Sequence, residues 1–173
     1  MKRLSIMFAA IALLAAGCSK DTPTGPSTDE NHPQFKATLT TANEVPAIPN
    51  PIEAGAQGTA TIDFNLARDA GGAITSGTVN FRVDLTNFPS DSVISAAHIH
   101  TGAAGVSGAV LVTADVTSGQ VTLTNGAGTF SRLNLAISAA NAQAIINNPA
   151  GFYFNVHTSR NGQGVIRGQL VRQ

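Results

Sequence analysis

Thr78-Val79-Asn80-Phe81-Arg82-Val83-Asp84-Leu85 alternates polar and apolar residues without a break. Successive side chains of an extended chain point to opposite faces, so Val79, Phe81, Val83 and Leu85 share one face and the polar residues the other. That period fits a half-buried β-strand and not a helix. Upstream, Asp69-Ala70-Gly71-Gly72 reads as a turn. Before it, Ala60-Thr61-Ile62-Asp63-Phe64-Asn65-Leu66 repeats the pattern, with Ile62, Phe64 and Leu66 inward. Phe35-Lys36-Ala37-Thr38-Leu39-Thr40 alternates as well. Downstream, strands are expected over 93–100, 109–114, 120–123, 128–135, 152–157 and 165–171. One segment departs from the rule: 138–147 is Ala-rich, opens on the capping residue Ser138 and stops before Pro149, which predicts a short helix. The expected fold is all-β, an antiparallel, Greek-key-like β-sandwich of about eight strands with one short crossover helix; a closed barrel is the alternative.

The first residues belong to a different regime. Met1-Lys2-Arg3 is a short basic start, and 4–16 is almost unbroken apolar sequence ending in Leu14-Ala15-Ala16-Gly17-Cys18. The run is about half of what a membrane-spanning helix needs, so it reads as a signal peptide over 1–17. The segment resembles the bacterial lipobox, with Ala15 where Leu is more usual. The resemblance implies export, cleavage before Cys18, and lipid on the Cys18 thiol. Cys18 is the single cysteine, so no disulfide forms within the chain. From 19 to 34 the chain holds three prolines, two aspartates and a glutamate and little that is apolar, the composition of a flexible tether; His32 is expected to be solvated there. The expected organisation is a signal peptide, a lipidated cysteine and tether over 18–34, and one domain over 35–173. Expected localisation is a membrane surface reached by export, the outer membrane or cell surface in a Gram-negative cell.

Without 1–17 the chain keeps eight basic and ten acidic residues, a net charge of −2. Charged residues make up 12% of the whole chain, well below the roughly 25% of an average protein. No basic cluster stands out, so nucleic acid is not an expected partner.

Three histidines fall within the domain. His98 and His100 form an H-x-H on an expected strand, which places both rings on one face with Ile99 on the other. His157 ends Phe152-Tyr153-Phe154-Asn155-Val156-His157, sharing a face with Tyr153 and Asn155, away from Phe152, Phe154 and Val156. Each histidine strand leads into a glycine-containing loop, 102–108 and 162–164. If both strands end at the same rim, the three rings converge beneath those loops. Imidazole suits copper, zinc, iron and nickel, so His98, His100 and His157 form a candidate open metal site. The alternative is that the rings are structural and hold loop carbonyls.

Other chemistry finds little support. There is no G-x-S-x-G elbow and no phosphate loop. Glu44, Glu53, Asp63, Asp69, Asp84, Asp91 and Asp115 are scattered and read mainly as solvated residues of strands and turns. Arg167, between Ile166 and Gly168 on an apolar terminal strand, calls for a partner, and a structural ion pair with Glu44 is expected. With no Trp and one Tyr, a glycan-stacking surface is a weaker reading.

Four motifs occur in order: Asn43-Glu44-Val45-Pro46, Ala97-His98-Ile99-His100-Thr101-Gly102, Tyr153-Phe154-Asn155-Val156-His157-Thr158, and Ile166-Arg167-Gly168-Gln169-Leu170. Together they resemble the CHRD domain, the module described in chordin and in many bacterial exported proteins. Ala47 stands where a second proline is common, and Val165 where a glutamate often precedes Ile-Arg-Gly. The resemblance implies a β-sandwich over 35–171 and an extracellular module whose activity is not settled. His98-Ile99-His100 is also similar to the copper-binding strand of copper/zinc superoxide dismutase. That enzyme uses more histidines, an Asp for zinc and a disulfide, so the likeness implies at most one copper ion here. Two functional expectations follow. The first is a non-enzymatic, lipid-anchored binding module able to hold a metal through three histidines, its protein or glycan ligand unspecified. The second is a mononuclear copper site with redox or superoxide-dismutase-like activity.

Overall fold

The computed structural model describes residues 29–173; the signal segment, Cys18 and the tether as far as 28 lie outside the described residues. Nine strands follow in order: β1 (Gln34–Thr40), β2 (Gln57–Arg68), β3 (Ile74–Thr86), β4 (Ile94–Thr101), β5 (Val110–Thr113), β6 (Gly128–Ile137), β7 (Phe152–Thr158), β8 (Ile166–Gln169) and β9 (Val171–Arg172). Among the described residues one α-helix, α1 (Ala139–Asn147), lies between β6 and β7, and short 3-10 helices form at Thr41–Asn43, Pro51–Glu53 and Pro149–Gly151. All pairings are antiparallel, in the order β5-β4-β7-β8-β1-β2-β3-β6, with β9 added on β1. The sheet is one continuous surface, nearly closed, and it combines the two expected architectures. Its halves face each other: Phe81 of β3 meets Phe154 of β7 with ring centres 5.6 Å apart.

The alternation that predicted β2 and β3 is what builds this core. Ile62, Phe64, Leu66, Val79, Phe81, Val83 and Leu85 are all buried, and Ile62 pairs with Phe81 and Phe64 with Val79 across the ladder. At the hairpin, the Asp69 side chain accepts from the backbone N–H of Gly71 and Ala73, which fixes the turn. The helix begins as the sequence predicts, with Ser138 Oγ accepting from Asn141 N at 3.1 Å, and it buries Ala142 and Ile145 against the core.

Two sequence expectations change. Residues 120–123 do not form a strand. Gln120 N–H closes a turn on Thr117, and Thr124 and Ala127 bridge around Asn125-Gly126. The segment passes close to the start of β6, where Gly128 lies against the Thr122 carbonyl, but the pairing stops at the single Thr124–Ala127 bridge; Val121 is a buried plug. The chain is also tied down earlier than Phe35. The carbonyls of Asn31 and Pro33 accept from the N–H groups of Leu66 and Phe64, and exposed His32 bonds the Asn65 side chain through Nδ1 at 2.9 Å.

Phe154→Ala removes a fully buried ring from the contact between the two halves. The expected loss is about 3–5 kcal/mol of unfolding free energy, read from a guanidinium unfolding curve. A loss below about 1 kcal/mol contradicts the face-to-face core.

Candidate metal centre

Strands β4, β7 and β8 lie side by side, and period-two alternation sends their residues to two faces. Ile99, Phe154, Val156 and Ile166 go to the core. The opposite face carries His98 and His100 from β4, Tyr153, Asn155 and His157 from β7, and Arg167 and Gln169 from β8. The register sets three rows across this face: Ala96 beside His157, His98 beside Asn155 and Arg167, and His100 beside Tyr153 and Gln169. The three sequence-predicted histidines are thereby brought together. Their potential ligand nitrogens all lie within 4.8 Å of one another, and no carboxylate or thiol among the described residues joins the group.

The route to convergence differs from the expectation of a shared rim. β4 and β7 run antiparallel, so their ends lie at opposite ends of the sheet. The loop after β4 (102–109) and the loop after β7 (159–165) fold back from those opposite ends. Each supplies a carbonyl to a histidine: Gly108 O meets His100 Nδ1 at 3.0 Å, and Gly162 O meets His157 Nδ1 at 3.1 Å. Close approach demands glycine in both loops. A Cβ on Gly108 would stand 1.8 Å from the Thr101 carbonyl oxygen, and one on Gly164 would stand 2.5 Å from the Asn155 amide nitrogen.

These contacts fix the tautomers. A carbonyl only accepts, so His100 and His157 carry their proton on Nδ1, and in the neutral ring each Nε2 is a lone pair. His100 Nε2 is buried with no hydrogen-bond partner. His157 Nε2 lies 3.1 Å from His98 Nδ1 and must accept from it. Burial, followed by the charges of His157 and His100, pushes His98 down to about 4. Burial also lowers His100 and His157 below the usual histidine range, against the opposing effect of the Gly108 and Gly162 carbonyls. The cluster is therefore three neutral imidazoles at neutral pH, the state in which they ligate metals. Metal–nitrogen bonds of about 2.0–2.1 Å place neighbouring tetrahedral ligands about 3.3 Å apart. The 3.1 Å pair already fits that spacing, and the third ligand nitrogen lies within 4.8 Å of both. His98 must first move its proton to Nε2.

Two buried charged side chains hold the loops. Arg167 is 1% exposed; its Nη2 donates to the carbonyls of Ala103 and Val106 at 2.8 Å and to Gln169 Oε1 at 3.2 Å. Its guanidinium carbon stands 3.4 Å from the Tyr153 ring centre, and Tyr153 in turn stacks on His100 at 4.9 Å with an interplanar angle of 8°. The expected ion pair between Glu44 and Arg167 is not a direct contact. Glu44 Oε2 accepts from Asn155 Nδ2 at 3.3 Å instead, and the Arg167 charge acts on it across space. Asn155 separates the two because it sits beside Arg167 in the register. Burial pushes Glu44 up to about 7, although Asn155 and Arg167 both favour its ionised form.

The second staple is Glu53, which sequence reading placed among the solvated acids. It is fully buried and accepts from Ser92 Oγ (2.5 Å), Thr158 Oγ1 (2.7 Å) and Asn161 Nδ2 (2.7 Å). It therefore holds the 158–161 turn that presents Gly162 to His157. Nothing in the local sequence around Glu53 distinguishes it, because its partners are 39 to 108 residues away. Tyr153 and Asn155 carried a readable sign, since both share the face of His157.

A nearly closed antiparallel sheet with a roofed, three-histidine face defines a β-module with a candidate metal centre. The CHRD domain profile matches residues 35–170, and the chain belongs to the CHRD domain family. No curated protein and no solved structure matches it.

The raised Glu44 gives a signed pH effect. Its neutral form stabilises the fold fully below the unfolded value of 4.5, and that contribution is lost as pH rises towards about 7. Glu44→Gln is therefore expected to gain on the parent, by about 3 kcal/mol at most, between pH 4.5 and 8. Urea unfolding of both proteins across this range measures it; a pH-independent gap contradicts the assignment.

Proposed function

We propose that this CHRD domain is an extracytoplasmic metal-binding module, anchored by lipid on Cys18, that takes one copper ion on His98 Nδ1, His100 Nε2 and His157 Nε2. The observation that carries the reading is the convergence of three neutral imidazoles, two of them with Nδ1–H committed to loop carbonyls. Rings that served only as structural fillers would not leave a buried His100 Nε2 unpartnered and aimed among two other ring nitrogens. Copper is favoured among the ions that imidazole suits because His98-Ile99-His100 is similar to the copper-binding strand of copper/zinc superoxide dismutase. The role is binding rather than catalysis. A second reading, redox chemistry such as superoxide dismutation, draws on the three-ligand set, which leaves a coordination position for a small molecule. Superoxide consumption by the copper-loaded protein tests it.

Competition titration of the purified protein with copper and with zinc is expected to give one copper per chain. His100→Ala and His157→Ala should each weaken binding more than about 100-fold. Absence of binding at micromolar copper refutes the site.

The lipid anchor is supported by Leu14-Ala15-Ala16-Gly17-Cys18 at the end of the apolar run. Several acyl chains, each methylene contributing about 0.8 kcal/mol, give stable attachment. Cys18→Ser is expected to abolish metabolic labelling by a fatty-acid probe and the firm membrane association that goes with it. Labelling that persists contradicts the anchor.

A further inference from the structure

The surroundings of the three histidines are unusual for a divalent ion. All three ligands are neutral, and no carboxylate or thiolate joins them among the described residues. The same sheet face carries a buried cation, Arg167. Arg167 is held rigidly by the Ala103 and Val106 carbonyls and by Gln169, so it cannot swing out to solvent. Its Nη1 is buried without a partner, and it has no direct ion pair among the described residues. Tyr153 is sandwiched between this guanidinium and the His100 ring. The two spacings together put the guanidinium carbon at most about 8.3 Å from the His100 ring centre.

The penalty for charge in such a place is steeply graded. Born desolvation rises with the square of the charge, so a divalent ion costs about four times as much to bury as a monovalent one. Repulsion from Arg167 doubles with the second charge. Glu44 opposes it only in part: burial pushes its carboxyl up to about 7, so its negative charge is present mainly above neutral pH. Among the ions that imidazole suits, copper alone has a readily reached monovalent state, and copper(I), with its low charge, accepts three ligands without demanding a fourth.

We infer that the His98, His100 and His157 site is built for copper(I) in preference to copper(II), with the buried Arg167 cation setting that preference through Tyr153 and His100. This deepens the proposed metal-binding role and rests on it. Arg167 is a positioning and charge-setting residue here, not a ligand. In solution the site would hold copper in its reduced form and release or oxidise it reluctantly.

The test is a pair of competitions on the purified protein at pH 8. Copper(I) is partitioned against bicinchoninate without oxygen, and copper(II) against nitrilotriacetate. The wild type is expected to show a lower Kd for copper(I) than for copper(II). Arg167→Gln is expected to shift the ratio towards copper(II) by roughly tenfold at an effective dielectric of about 20, while Arg167→Lys, which keeps the charge, restores most of it. Glu44→Gln removes a negative charge from the same corner and should shift the ratio the other way, so the inference stays testable if Arg167→Gln does not fold. Tighter copper(II) binding in the wild type, or a ratio indifferent to Glu44→Gln and to the Arg167 variants, overturns the inference while leaving the three-histidine site standing. No copper bound in either state removes both.

Discussion

A guanidinium that cannot give up its proton sits almost fully buried on β8, and much of the site is arranged around satisfying it. Among the described residues no carboxylate pairs with it directly. Its Nη2 donates to the carbonyls of Ala103 and Val106 and to Gln169, and its plane lies over the face of Tyr153, while Nη1 is left without a partner. A desolvated cation–π contact of this kind contributes about 2 kcal/mol. These contacts draw the 102–109 loop over the sheet. Gly108 then lies where its carbonyl accepts a hydrogen bond from His100 Nδ1, which leaves Nε2 as the nitrogen free to ligate. A charge on one strand thus determines the orientation of a candidate ligand two strands away.

Glu53 does the same for the other loop with the opposite sign. Three donors converge on its carboxylate, and two of them, Thr158 and Asn161, belong to the turn above His157. A buried acid left with fewer partners would be costly, so this turn has little freedom. Both flaps are therefore rigid, and the histidines beneath them are oriented before any ion arrives. Pre-organised ligands lose little entropy on binding, which is how three imidazoles without a charged donor can still make a useful site.

Much of this was legible in the sequence because strand alternation is a local code. Val79, Phe81, Ile62 and Phe64 announced the core, and the spacing of His98 and His100 announced a shared face. The same period placed Tyr153, Asn155 and His157 together. What alternation does not encode is which strands become neighbours or where loops return. The opposite-end approach of the two flaps, the burial of Glu53 and the insertion of Asn155 between Glu44 and Arg167 all depend on contacts across many residues. Residues 120–123 show the converse failure. Their alternation is real and Val121 is buried, yet the pairing beside them stops at the single Thr124–Ala127 bridge.

The account stands or falls on three imidazoles sharing one ion. X-ray absorption spectroscopy of the copper-loaded, reduced protein reads that coordination shell directly. It should show three nitrogen neighbours at about 2.0 Å, with the outer-shell scattering of imidazole rings and no carboxylate or sulfur contribution. A shell with one imidazole or none, or one dominated by carboxylate oxygen, would contradict it.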